Sequence, residues 1–277
     1  MSNTSGDPMQ RTDQIARSQG WLGFSDRSQN VQGILRRMYG DTQFKGVSAL
    51  FVDHTPGKQS GSLRISIRPP GDVSTVAYAN DLGTGTPLQV TAASGNEVKI
   101  YAVVPHAYTI LDRALNQQVS PLESLPLSMS ERVHDGTTLY GSAFDQGVSV
   151  MADMSLHPAS LITSTFFKNK DVVLVNQTKF GGRSAWELEG HQVPTATSLG
   201  SLGDNWRMWV DTQTGMVLRL EYYSGLKMVG WGELRDLQID GQGNVPVGSA
   251  PASPDSSIPN DAQYVRDSVA FAQMARH

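Results

Sequence analysis

Apolar positions along the chain keep a helical period once, near the start, and a strand period over most of the remaining length. In "SDRSQNVQGILRRMYGD", Val31, Ile34, Leu35 and Met38 fall at i, i+3, i+4 and i+7, which gathers them on one side of an α-helix. Ser25 or Asp26 is placed to cap that helix and Gly40 to stop it. The period then drops to two. "GVSALFVD" and "SLRISIRPP" read as strands flanking a Pro/Gly loop, with Leu63, Ile65 and Ile67 alternating with Arg64, Ser66 and Arg68. "STVAYAN", "LQVTAAS" and "NEVKIYAVV" continue the series. Residues 111 to 170 break the alternation, and the spacing of Leu161, Ile162, Thr165 and Phe166 predicts two or three short helices there. Strands return with "DVVLVNQTKF" and "RSAWELEG" around Gly181-Gly182, a pair suited to a tight hairpin, and later with "MVGWGELRDLQID".

The segment "NWRMWVDTQTGMVLRLEYY", Asn205 to Tyr223, resolves by parity. Its first arm places Trp206, Met208 and Val210 on one face and Arg207, Trp209 and Asp211 on the other. Its second arm groups Leu218, Leu220 and Tyr222 against Val217, Arg219 and Glu221. Gly215 supplies a left-handed turn residue, and Asp211 is positioned to accept backbone N–H bonds across the turn, which gives it a structural role.

About nine or ten antiparallel strands, nearly all apolar on one face, need a cover. The predicted helices lie before and between the strand runs, so the expected class is α+β: a large curved antiparallel sheet, an unclosed β-barrel, wrapped around a few covering helices. The expected organisation is a flexible segment over 1–24, one domain over 25–240, and a linker with a short C-terminal helix over 241–277. The last piece begins with the Gly/Pro/Ser-rich "GQGNVPVGSAPASPDSSIPND".

Charge and composition narrow the chemistry. A net charge of -4 and a pI near 5.8 argue against nucleic acid as a partner, because phosphate neutralisation needs a basic surface. The absence of cysteine excludes disulfides, thiolate metal sites and a cysteine nucleophile. No apolar run of about 18 residues is present to span a bilayer as a helix. The polar opening "MSNTSGD" is expected to stand where a natural signal peptide or anchor was cut away.

Motifs for catalysis are missing. Gly182-Arg-Ser184-Ala-Trp186 and Gly46-Val-Ser48-Ala-Leu50 both fail the G-x-S-x-G pattern at its last glycine, and Gly83-Thr-Gly85 lacks the third glycine of a dinucleotide loop. The six histidines never fall at i, i+3 or i, i+4, so no local metal pair exists. Asp53-His54 and His134-Asp135 read as solvated turn residues. The expectation is a protein without enzymatic activity, cofactor or metal, with a hydrolase built on a dispersed site ranked far behind.

Five stretches in order resemble the LolA-like superfamily of periplasmic lipoprotein carriers and sigma-factor regulators of the MucB/RseB type. These are "FKGVSALFVD", "GSLRISIRPPG", "SGNEVKIYAVVPHAYTI", "DVVLVNQTKFGGRSAWELEG" with Gly182-Arg183, and "WRMWVDTQTGMVLRLEYY" with its Trp-x-Asp-x-x-Thr-Gly hairpin. The resemblance covers roughly residues 28 to 240. Three departures stand beside it: no lipid-attachment cysteine, a longer central part, and a C-terminal tail too short for a regulator's second domain.

The resemblance implies an apolar cavity that shelters lipid or lipoprotein acyl chains outside the cytoplasm, in the periplasm or at the cell surface. It leaves an envelope-stress domain that binds an anti-sigma factor or another envelope protein as the alternative, and a membrane tether as a part missing from the chain. The residues it would make ligand-lining are Phe51, Ile65, Ile67, Leu174, Trp186, Leu188, Trp206, Met208, Val210, Leu218 and Leu220. The same side chains packing as a dry core is the other reading. On this face assignment Leu220→Glu should abolish folding or ligand uptake, while Arg219→Glu should do neither.

Overall fold

The computed structural model describes residues 24–39, 46–54, 60–68, 72–94, 97–112, 119–120, 129–134, 137–142, 172–191, 204–239 and 258–275. The chain divides into two compact units. One comprises Met1–Thr42, Val119–Ala143 and Asp153–Glu233; the other comprises Gln43–Gln118, Phe144–Ala152 and Leu234–His277.

In the first unit a 3-10 turn at Phe24–Asp26 leads into α1 (Gln29–Tyr39). Val31, Ile34, Leu35 and Met38 are all buried, as their spacing predicts. The cap differs from expectation: the Ser28 hydroxyl accepts the Val31 N–H at 3.4 Å, while Ser25 and Asp26 belong to the preceding turn. Ser28 lies three residues before Val31, the spacing an N-cap requires.

The same unit holds β10 (Val173–Phe180), β11 (Arg183–His191), β12 (Asn205–Asp211), β13 (Val217–Ser224) and the first part of β14 (Lys227–Ile239), each antiparallel to the next. A separate three-stranded sheet of β7 (Val119–Ser120), β8 (Met129–His134) and β9 (Thr137–Ser142) occupies part of the region expected to be helical. His134 pairs with Thr137 across Asp135-Gly136, a dipeptide that favours two-residue hairpins and outweighs any helical spacing there. The helical pattern around Leu161 to Phe166 lies outside the described residues, as do the segments before Phe24 and from Asp240 to Ser257.

The second unit contains β1 (Val47–His54), β2 (Gly61–Arg68), β3 (Asp72–Tyr78), β4 (Gln89–Ser94), β5 (Glu97–Ala102) and β6 (Ala107–Asp112), an antiparallel meander. "NEVKIYAVVPHAYTI" is therefore a hairpin and not one strand. Pro105 lacks the N–H a ladder needs, and His106 adopts φ +49° in the turn. At the far end β15 (Gln263–Tyr264) runs parallel to β6, and α2 (Ser268–Met274) is capped by Asp267, whose carboxylate accepts the Val269 and Ala270 N–H groups. Phe271 of α2 packs with Ala102 and Ala107.

Hydrogen bonding links the strands in the order β10-β11-β12-β13-β14-β1-β2-β3-β4-β5-β6-β15. The twelve-stranded sheet does not close, because β10 and β15 are its two edges. The class is α+β, as the sequence pattern predicts.

Candidate functional site: two apolar sheet faces

In the first unit the strand register stacks the apolar parity positions into cross-strand rows. Leu188, Met208 and Leu220 stand abreast on β11, β12 and β13, and Gly232 completes the row on β14. Gly190, Trp206, Tyr222 and Gly230 form the next row. Glycine at 190 has a steric cause, since a Cβ there would run into the Trp206 ring. A third row joins Trp186, Val210 and Val217.

That last pairing corrects the parity reading. Between Trp209↔Arg219 and Val210↔Val217 the register shifts, leaving Leu218 as the extra residue of a β-bulge. Val217, expected on the charged face, pairs with Val210 instead, and both Val217 and Leu218 are buried. A strict period of two cannot show this insertion.

The Asp211-x-x-Thr214-Gly215 turn fixes the end of this face. Asp211 Oδ1 accepts the Gln213 N–H at 3.0 Å, the Thr214 N–H at 2.7 Å and the Thr214 hydroxyl at 2.9 Å. Its Oδ2 accepts from Arg183 Nε at 2.6 Å. Burial opposes ionisation of Asp211, but the Arg183 and Thr214 hydrogen bonds outweigh it and hold the carboxyl below the usual carboxylate range. Asp211 is thus a structural residue, as the sequence implies. Arg183 is the partner that the sequence does not reveal, because the hairpin bearing Gly182-Arg183 lies 28 residues away.

Gly215 has φ +76°, and a Cβ there would lie 2.8 Å from Met38 Cα. The C-terminal end of α1 therefore rests directly on the turn, and Arg37 Nε donates to Thr212 O at 3.4 Å.

The opposite face of these strands is a charge ladder. Arg219 Nε donates to Glu221 at 2.6 Å and its Nη1 to Glu233 at 2.5 Å, while its guanidinium lies 4.7 Å from the Trp231 ring centre. Arg207 pairs with Glu189 and, at 3.4 Å, with Glu187. Burial works against the Arg207 charge, but these carboxylates raise its pKa above the ordinary value. Burial, together with a hydrogen bond to Glu221, pushes the Tyr223 hydroxyl up to about 12. Phe180 and Trp209 stack beside the ladder at 5.5 Å.

In the second unit one face carries two long rows. Phe51, Leu63, Ala77, Gln89, Ala102 and Ala107 form one; Ala49, Ile65, Thr75, Thr91, Ile100 and Thr109 form the other. The three threonines are buried, and Thr91 accepts a hydrogen bond from Gln89 Nε2 at 3.1 Å. Thr109 Oγ1 has no partner among the described residues.

Of the expected lining residues, Leu188, Trp206, Met208, Val210, Leu218 and Leu220 in the first unit and Phe51 and Ile65 in the second have at most 2% of their surface exposed. Trp186 and Leu174 are half-buried. Ile67 takes the register position opposite Val47, and its side chain lies outside the described residues. The register brings Trp186, Leu188, Trp206, Met208, Val210 and Leu220 into adjacent rows of one face, and Phe51 and Ile65 into adjacent rows of the other. Among the described residues no helix is long and apolar enough to cross a membrane.

No family model matches the chain, and no curated protein is detectably similar in sequence. Among solved structures, MucB is similar with a TM-score of 0.43 and 14% identity, over 86% of this chain and 66% of MucB. Lipoprotein LppX of Mycobacterium tuberculosis is similar with a TM-score of 0.38 and 10% identity, over 79% of this chain and 100% of its own. A putative outer membrane lipoprotein-sorting protein domain from Vibrio parahaemolyticus is similar with a TM-score of 0.29 and 11% identity, over 82% of this chain and 95% of its own. At these identities and TM-scores the likeness extends to neither ligand nor partner.

Proposed function

We propose that the protein binds lipid or lipoprotein acyl chains outside the cytoplasm as a carrier or sensor, without catalysing a reaction. The observation that carries this reading is the aligned row of Leu188, Met208 and Leu220, flanked by Trp206 and by Val210 with Val217, in the first unit. Such a face selects for apolar length and not for a head group. Each methylene it takes from water contributes about 0.8 kcal/mol, so a long chain binds tightly without a polar anchor. Met208 at the centre of the row adapts its unbranched thioether to acyl chains of differing shape.

These side chains are almost fully covered, so an acyl chain reaches them only after local opening of the first unit. Uptake should then be slow and accelerated by mild denaturant. The test is native mass spectrometry of protein purified from membrane-containing lysate, together with uptake of a fluorescent fatty acid. Co-purifying lipid or saturable uptake supports the reading, and the absence of both removes it.

The alternative, an envelope regulatory domain that binds an anti-sigma factor or another envelope protein, draws its support from the charge ladder around Arg207 and Arg219. That ladder offers four carboxylates and half-buried Trp209 and Trp231 on the opposite face. It predicts retention of an envelope protein that charge reversal on the ladder weakens, with lipid uptake unchanged.

A further inference from the structure

The C-terminal part of the second unit is attached differently from the rest. Each of β1 to β5 is hydrogen-bonded to a neighbouring strand on both sides, whereas the outer side of β6 is met only by β15, two residues long. The pairing there is brief: the Gln263 N–H donates to His106 O at 3.0 Å and the Val265 N–H to Tyr108 O at 2.8 Å. Neither Gln263 nor Tyr264 is buried, and the Tyr264 ring rests tilted on Tyr108 with centres 5.3 Å apart.

The polar contacts beside this pairing lie at the surface. His106, at φ +49° in the β5–β6 turn, has its Nδ1 2.8 Å from the Tyr101 hydroxyl and its Nε2 3.2 Å from Asp261 Oδ1. Both His106 and Asp261 are exposed, and a pair so open to water adds little to the attachment.

One side chain does most of the anchoring. Among residues 258–275 Phe271 alone is buried. It sits on Ala102 and Ala107, two residues small enough to admit a ring against the strands, with Ile100, Val265 and Met274 packed around it. Val269 of the same helix is 65% exposed, so α2 offers the sheet little besides Phe271. With seven residues α2 is also shorter than the roughly 12 to 15 that an isolated helix needs in water. The helix therefore persists only while Phe271 is seated, and the two-residue pairing only while the helix holds it against β6.

We propose that residues 258–275 form a reversible strap, which undocks from β6 as one cooperative unit while β1 to β5 stay paired. Local opening at low free energy is the expected behaviour of a segment with one buried apolar side chain and a short ladder at the edge of a sheet. Undocking uncovers Ala102 and Ala107 and frees the outer edge of β6 at Ala107 and Tyr108, so access to this end of the sheet is set by the strap. The strap stands apart from acyl-chain binding, because its opening is measured without any lipid.

The experiment is native-state amide hydrogen exchange of the full chain, read by NMR. The Gln263, Val265, Phe271 and Ala275 amides, all hydrogen-bonded when docked, should share one protection factor that lies well below that of the β1 to β4 ladder. Phe271→Ala should speed exchange of this group roughly 10- to 100-fold, the loss of one buried aromatic side chain, and leave the β1 to β4 amides unchanged. Gln263→Pro, which deletes the N–H bound to His106 O, should loosen the same group, and Val269→Ala on the exposed side of α2 should not. The proposal is overturned if the four amides exchange only as slowly as the β1 to β4 ladder, if they are unprotected or exchange at unrelated rates, or if Phe271→Ala leaves them unchanged or speeds the whole second unit equally.

Discussion

The two units build their sheets on the same antiparallel principle but distribute polarity differently. In the first, one face is apolar from Trp186 to Leu220, and the other is a ladder of Arg207, Arg219 and their carboxylate partners. In the second, hydroxyls appear on both faces: Thr75, Thr91 and Thr109 on one, Ser48, Ser66 and Ser74 on the other. The contrast separates two ways of packing a sheet face. A face of aliphatic and aromatic groups is held by buried area, whereas a row of hydroxyls is held by the direction of its hydrogen bonds.

The contrast would collapse if the apolar face tolerated a charge. Leu220→Glu should cost about 4 kcal/mol or more, because a carboxylate enters a fully covered row with no partner. The same change at Leu226, which is fully exposed in the β13–β14 turn, should alter stability by less than about 0.5 kcal/mol. Denaturant unfolding of the pair measures the difference. Arg219 is an unsuitable neutral control, since Arg219→Glu would place a third carboxylate between Glu221 and Glu233.

Gly215→Ala should cost about 3 kcal/mol, the sum of a left-handed backbone position and a collision with the end of α1. An unchanged unfolding midpoint would show that α1 does not rest on this turn.

Asp211→Asn should cost about 2 kcal/mol by breaking the charged bond to Arg183. Its sign with pH follows from the depressed carboxyl: the Asp211 contribution is present above the unfolded value of about 3.9 and is lost as pH falls through the lower folded value. The variant should therefore lose less stability between neutral pH and the acid range than the parent does.

Thr109→Val probes the hydroxyl rows of the other unit and carries the smallest expected effect. It removes a buried hydroxyl without a partner while nearly keeping its volume, so stability should stay equal or rise by up to about 1 kcal/mol. A clear loss would mean that the threonine row is held together by its hydroxyls.

Much of this organisation is legible in local periodicity. The buried stripe of α1, the alternation along β2 and the inward set of Trp206, Met208 and Val210 follow from spacing alone, because each is decided within a few residues. The role of Asp211 follows equally from turn chemistry. What spacing cannot carry is register between distant strands. The bulge that moves Val217 inward, the reach of Arg183 to Asp211 and the alignment of Ser48 with Ser66 and Ser74 exist only once strands pair. The strands β8 and β9 are hidden for another reason: neither "MSERVH" nor "TTLYGS" alternates apolar with polar residues, so the Asp-Gly between them lacks the flanking pattern that marks a hairpin.

Entry of an acyl chain into the apolar row of the first unit can be read directly by photo-crosslinking with a diazirine fatty acid and mapping the labelled peptides. Label is expected on the peptides that contain Leu188, Met208 and Leu220, competed away by unlabelled fatty acid. Label confined to the charge ladder or to the exposed turn around Leu226, or no competable label at all, would contradict acyl-chain binding at this row.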